Sequence, residues 1–292
     1  MDREQWIAVP RNTIAILQKY DFQFKKQLGQ NFLIDLHVLD KIIRAAEITD
    51  EDYVLEIGPG IGSLTQVMAE YAGHVVAVEI DDRLIGILQE NLKEYDNVTI
   101  VHSDFMKLDL PKFFEEQGFD KPVKVVANLP YYITTPIIME LFESHVPLAN
   151  VTVMVQEEVA RRMQAGPGSK DYGALSLAVQ YYAKPYIAAH VPQNCFMPRP
   201  NVGSAVIRLT RLQEPPVDVK DEKLMFQLIR ASFGQRRKTL VNAVSGSPEF
   251  TITNKEMLVA ALQKEGLDER VRGEALTLSQ FAALANRLED LL

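Results

Sequence analysis

Between residues 53 and 210 the chain alternates two hydrophobic rhythms. Short β-branched runs with period two or continuous burial read as strands, and longer stretches with apolar positions three and four apart read as helices. Strands are predicted at Tyr53–Ile57, His74–Glu79, Val98–Val101, Val123–Ala127 and Val151–Val155, then near residues 186–190 and 204–210. Helices are predicted at 63–72, 82–94, 135–144 and 174–182. Such alternation predicts an α/β fold with a largely parallel sheet. Ahead of it, residues 11–20 read as a short helix, and Asp35 is placed to cap another whose Val38, Leu39, Ile42, Ile43 and Ala46 share one face. Residues 166–171 read as a mobile loop. Gln213-Glu214-Pro215-Pro216 marks a boundary, because consecutive prolines end both ladders and helices. Beyond it the spacing is helical throughout, at 224–233, 237–244, 255–264 and 277–291. The expected domains are 1–214, with an N-terminal segment 1–35, and 215–292.

Composition changes this picture little. Of 292 residues, 47% are hydrophobic and 24% charged, which suits a folded domain with an ample core. No signal peptide or membrane span is expected, and the single cysteine, Cys195, excludes an intrachain disulfide. A cytoplasmic monomer is expected. The five histidines are scattered without metal-ligand spacing, so no metal site is expected. Charge is more informative: the net value of −8 excludes a uniformly basic nucleic-acid binder, yet residues 220–292 carry 11 lysines and arginines against 10 acids. RNA would have to meet a local basic face. Candidates are Lys25, Lys26, Arg161, Arg162 and Arg236-Arg237-Lys238.

Two stretches carry chemistry. Strand, then Gly58-Pro59-Gly60-Ile61-Gly62, then helix is a nucleotide-binding turn, in which glycine lets the backbone approach a ligand at a helix start. Glu79, at the end of the next strand, can accept from both hydroxyls of a ribose. A dinucleotide fingerprint needs glycine or alanine where this chain has Ser63, so a pyrophosphate cofactor, and with it a nicotinamide oxidoreductase, is disfavoured. S-adenosylmethionine, which has no phosphate, fits better, with Asp104 accepting from its adenine amino group. The second stretch is Asn128-Leu129-Pro130-Tyr131, at a strand end where α/β sheets bind ligands. An adenine amine is a poor nucleophile because its lone pair is delocalised into the ring. The Asn128 side-chain oxygen and the Leu129 carbonyl can bind both its hydrogens and make the nitrogen more tetrahedral. Pro130 fixes the turn, Tyr131 can stack on the base, and Phe196 can close the opposite face.

Gln27-Leu28-Gly29-Gln30-Asn31-Phe32-Leu33, Glu56-Ile57-Gly58-Pro59-Gly60, Asn128-Leu129-Pro130-Tyr131 and Phe196-Met197-Pro198-Arg199-Pro200-Asn201-Val202 together resemble the ribosomal RNA adenine N6,N6-dimethyltransferases. The likeness is closest to the branch acting on small-subunit (16S) RNA, and Ala231 to Lys238 extends it into the helical region. It implies a Rossmann-like class I S-adenosylmethionine-dependent methyltransferase sheet of seven strands, the last antiparallel, plus a small all-helical domain. The implied reaction is dimethylation of two adjacent adenines in the terminal hairpin loop of 16S rRNA, within the small subunit or its precursor. By position, Asn31, Leu33, Gly58, Glu79, Asp104 and Asn128 resemble the family's cofactor contacts, and Gly60 is a cofactor-binding candidate from the glycine turn itself. The antibiotic-resistance enzymes that modify 23S rRNA share the core but typically carry Asn-Ile-Pro-Tyr. A ribosome-assembly factor, whose binding matters more than its catalysis, is a further alternative. Where the common family pattern continues with asparagine, this chain has Tyr132.

Overall fold

A computed structural model describes residues 3–25, 28–248, 250 and 254–291. It divides into two compact units, Met1–Ala160 with Lys184–Arg211 and Arg161–Ala183 with Leu212–Leu292.

In chain order the elements are α1 (Pro10–Lys19), β1 (Phe32–Leu33), α2 (Leu36–Ala46), β2 (Tyr53–Ile57), α3 (Ser63–Ala69), β3 (His74–Glu79), α4 (Asp82–Asn91) and β4 (Val98–His102). Next come α5 (Leu110–Glu116), β5 (Val123–Asn128), α6 (Thr134–Glu143), β6 (Leu148–Gln156) and α7 (Glu157–Gln164). The chain enters the second unit within α7, runs through α8 (Ala174–Tyr182), and returns as β7 (Ala183–Val191), β8 (Phe196–Met197) and β9 (Ser204–Arg211). Seven strands form one sheet in the order β4-β3-β2-β5-β6-β9-β7. The pairs among β2 to β6 are parallel, and β9, last in sequence, runs antiparallel to β6.

This is the class I methyltransferase topology that the family resemblance implies. Its central strands are buried along their length, which is why they read as continuous β-branched runs rather than alternating ones. From β2 the chain works outward through β3 and β4, then crosses back to lay β5 on the other flank of β2. The carboxyl edge between β2 and β5 is therefore a topological switch point, where such sheets open a crevice. Asp35 caps α2 as expected, accepting from the His37 and Val38 amides. Val38, Leu39, Ile42, Ile43 and Ala46 pack with Leu64, Val67 and Met68 of α3 and with Val54 and Val126 of the sheet.

Some elements escape the periodic reading. Helices α5 and α7, of 7 and 8 residues, lie outside the helices that the pattern predicts. β1 and β8 form a separate two-stranded antiparallel ladder, Phe32 opposite Met197 and Leu33 opposite Phe196. Residues 161–183 cluster with the C-terminal helices, whereas the prolines mark only the later boundary.

The second unit adds α9 (Glu222–Phe233), α10 (Leu240–Ser245), α11 (Lys255–Lys264) and α12 (Leu278–Glu289). Its core is partly aromatic: Tyr181 and Tyr182 contact Phe226, and Phe233 contacts Tyr172 and Phe281. Both tyrosine hydroxyls of the pair donate to Glu222. The 166–171 segment, read from its glycines as mobile, is held at two points: the Gly168 amide donates to the Glu274 carbonyl (2.8 Å), and Arg236 donates to the Lys170 carbonyl (2.9 Å). No described helix is long and apolar enough to cross a membrane.

Candidate active site

The turn after β2 uses its glycines. Gly58, Gly60 and Gly62 have φ of +72°, +63° and +93°, in the left-handed region that side chains avoid. At Gly60 space is also short, since a Cβ there would lie 2.8 Å from the Phe32 ring. The backbone thus turns sharply against a wall supplied by β1. From the end of the neighbouring strand β3, Glu79 fastens the turn: one carboxylate oxygen accepts from the Gly60 amide (3.1 Å), the other from the Asp81 amide (2.8 Å). Burial pushes the Glu79 carboxyl above its ordinary range, against the pull of those hydrogen bonds.

Beneath the turn lie two polar groups that sequence reasoning did not single out. Glu56, on the strand leading into the glycines, is 1% exposed and receives the Thr65 hydroxyl at 2.5 Å. Burial, with the nearby Glu79 charge, pushes its pKa up to about 8, although the Thr65 bond acts the other way. Ser63 Oγ is buried and has no hydrogen-bond partner among the described residues. The sequence signals are slight: Glu56 opens the motif Glu56-Ile57-Gly58-Pro59-Gly60 without a role of its own, and Ser63 stands out only as a departure from the dinucleotide fingerprint.

On the β5 side, the Asn128 amide nitrogen donates to the Asn31 carbonyl at 2.8 Å. A carbonyl can only accept, so this contact fixes which way round the amide lies and leaves Oδ1 as the atom able to accept from a ligand. Asn31 in turn holds its own loop by donating to the Gly29 carbonyl (3.0 Å). Pro130 continues the turn, and its carbonyl accepts from the Thr134 hydroxyl at the start of α6 (3.1 Å). The Tyr131 ring is half-buried and its hydroxyl shares a hydrogen bond with Ser204 Oγ (2.7 Å), at the start of β9.

The turn, Glu79 and the β5 stretch meet at a cavity open to solvent, lined among others by Asn31, Leu33, Gly58, Gly60, Glu79 and the whole stretch Asn128 to Tyr132. Glu56 and Ser63 belong to the same lining.

Other candidates fall elsewhere. Phe196, expected over the base, is instead 3% exposed: its backbone pairs with Leu33 and its ring joins the core with Trp6, Leu33 and Val38. Asp104 lies outside the cavity lining. It accepts from the Met106 amide (3.1 Å) as the cap of a short 3-10 turn, and pairs with Lys107 (3.3 Å). Lys25 is paired with the buried Asp81 (3.1 Å), which also holds Arg83 and Gln30. Burial pushes the Asp81 carboxyl up, but bonds from Arg83, Gln30 and Lys25 outweigh it and hold it well below the usual range. Lys26 lies outside the described residues. Arg161 and Arg162 are exposed on α7, as are Arg236, Arg237 and Lys238 after α9, although Arg236 also pairs with Glu274 (3.2 Å). Among the described residues, no group of three or more His, Cys, Asp or Glu side chains is placed to hold a metal.

Known proteins resemble this chain over nearly its whole length. The model of the family "Ribosomal RNA adenine dimethylase" matches residues 21–290. The ribosomal RNA small subunit methyltransferase A of Lachnoclostridium phytofermentans is 63% identical over 286 residues, covering 98% of each chain. Its namesake from Bacillus pumilus is 53% identical over 287 residues, again covering 98% of each. Among solved structures, a dimethyladenosine transferase from Plasmodium falciparum aligns with a TM-score of 0.70 at 26% identity, over 87% of this chain and 95% of its own. The 23S rRNA methyltransferase ErmE gives 0.67 at 26%, over 89% and 100%. The chain belongs to the ribosomal RNA adenine dimethylase family.

Proposed function

We propose that this protein transfers methyl groups from S-adenosylmethionine to N6 of two adjacent adenines in the terminal hairpin loop of 16S rRNA. The substrate is the small ribosomal subunit or its precursor, and the enzyme acts as a monomer in the cytoplasm. The observation that carries the reading is the Asn128 amide, oriented by the Asn31 carbonyl so that an acceptor remains at the β5 end of the cavity. The 63% identity to a small-subunit enzyme, against 26% to ErmE, favours 16S over 23S RNA.

The residues present suit the donor. Bound there, S-adenosylmethionine would supply an electrophilic methyl group and carry an ammonium, a carboxylate and an adenosine. Glu56 and Ser63 offer a carboxyl and a free hydroxyl to its amino-acid end. Gly58 and Gly60, which carry no side chain, allow close approach to the backbone, and Asn31 and Leu33 wall the same space. Each Glu79 oxygen keeps a second lone pair for a ribose hydroxyl. Asp104 stands two residues beyond His102, the register partner of Glu79, and is the next acceptor along that edge for an adenine amino group.

At the transfer point Asn128 Oδ1 and the Leu129 carbonyl accept the two hydrogens of the target amine. That draws the nitrogen lone pair out of the ring and aims it, and Tyr131 holds the ring by its face. Positioning of this kind is the main catalytic resource of a displacement that needs no covalent intermediate. None of these groups is a base, so the proton leaves after transfer, from a methylated adenine cation acidic enough to give it to water. Phe196 supports this wall from the core through β8. Lys25, Lys26, Arg161, Arg162, Arg236, Arg237 and Lys238 are the charges offered to RNA phosphates.

The test is direct. The purified protein, given labelled cofactor and undermethylated small subunits, should place label in N6,N6-dimethyladenine. Asn128→Ala should abolish that label while subunit binding persists. Absence of label with the unaltered protein overturns the proposal.

A further inference from the structure

We propose that Tyr132 is a second nucleobase platform, stacking on the nucleotide next to the target adenosine at the mouth of the cavity. The inference rests on the RNA-adenine reading above and adds a subsite to it.

At 59%, Tyr132 is the most exposed of the large hydrophobic side chains among the described residues. It nevertheless lines the cavity, beside Tyr131. The two neighbours are held differently. Tyr131 is half-buried and anchored through its hydroxyl to Ser204. Beside the Tyr132 ring runs the turn that contains Gly29, which has φ +59°. A Cβ at Gly29 would come within 3.5 Å of Tyr132 Cδ1 and 3.4 Å of Pro130 Cβ. Those are ordinary van der Waals spacings, so the turn flanks one edge of the ring while more than half of the side chain remains open to solvent.

An aromatic ring held at the mouth of a base pocket matches a specific need of the substrate. When an enzyme takes one base out of its stack, the adjacent base loses a stacking partner. In a single-stranded loop no complementary strand holds that base in place. Any base offers a π face, so stacking suits a position occupied in turn by either of two adjacent adenines. The gain is typically about 1–3 kcal/mol per base, or roughly five- to hundredfold in affinity.

Steady-state kinetics with undermethylated small subunits would compare the unaltered protein with Tyr132→Phe and Tyr132→Ala, alongside calorimetric titration of each with S-adenosylmethionine. We expect Tyr132→Ala to raise KM for the subunit roughly tenfold or more, with kcat and the cofactor Kd within about twofold. Tyr132→Phe, which keeps the ring, should restore KM. The proposal is overturned by an unchanged KM in Tyr132→Ala, or by a cofactor Kd that weakens as much as KM, which would make the ring a cover for the donor. It is overturned equally if phenylalanine fails to rescue. If the unaltered protein labels no adenine, it is the functional reading that fails.

Discussion

Tyr131 presents its ring to the cavity and gives its hydroxyl to Ser204, so the two halves of one side chain can be tested apart. Removing the ring forfeits stacking of about 1–3 kcal/mol. Removing only the hydroxyl forfeits a hydrogen bond worth about 0.5–1.5 kcal/mol. Tyr131→Ala should therefore reduce kcat/KM by tenfold or more, and Tyr131→Phe by clearly less; equal losses would contradict the stacking role. Burial raises the Tyr131 pKa, so the phenol stays protonated and adds no inflection to the rate profile near neutrality. Glu56 makes a different prediction. Its folded-state pKa of about 8 stands above the ordinary 4.5. Between those values the native state keeps a proton that the unfolded chain has released, so stability falls as pH rises through that window. In Glu56→Gln this slope should vanish. Calorimetry without cofactor should find the variant gaining several degrees on the unaltered protein between about pH 5 and pH 8.5. Parallel melting curves would show that Glu56 is already ionised in the free protein.

At the level of elements, what the sequence disclosed follows from what repeats. β2, β3, β5 and β6 are buried along most of their length and α2 on one face, so their apolar positions announce them. The Gly58–Gly62 turn is legible because positive φ requires a particular residue type. The pairing of β1 with β8 is invisible, since two residues have no period and the partners lie far apart in the chain. The same remoteness hides the Asn31 carbonyl from Asn128, Ser204 from Tyr131, and the burial of Phe196. Each candidate near the cavity could be named from a local motif. What orients it comes from a segment that only the fold brings near. Lys25 shows the same at a charge: a basic residue in a polar loop reads as a phosphate ligand, and only the fold reveals that its half-exposed ammonium also pairs with the buried Asp81.

For the whole molecule, the distribution of charge matters more than its sum. A chain of net charge −8 repels a polyanion at long range, so its hold on RNA must come from short-range contacts at a few cations. Each phosphate contact adds a little under one to the slope of log K against log salt. Arg237 and Lys238 are exposed in the second unit. Changing both to glutamine should weaken subunit binding and lower that slope by about two, with the cofactor Kd unchanged. An unaltered slope would exclude them from the contact. Filter binding across a salt series is sufficient to measure it.

The β1–β8 ladder also has a consequence in time. Protein synthesis delivers residues 32 and 33 early and residues 196 and 197 much later. Until the later pair emerges, β1 has no partner strand, and Phe32 lacks the frame that sets its ring against Gly60. The wall of the cofactor cavity is thus completed by nearly the last segment of its unit to leave the ribosome. Until then the β1 side of the crevice stands without the strand that pairs with it.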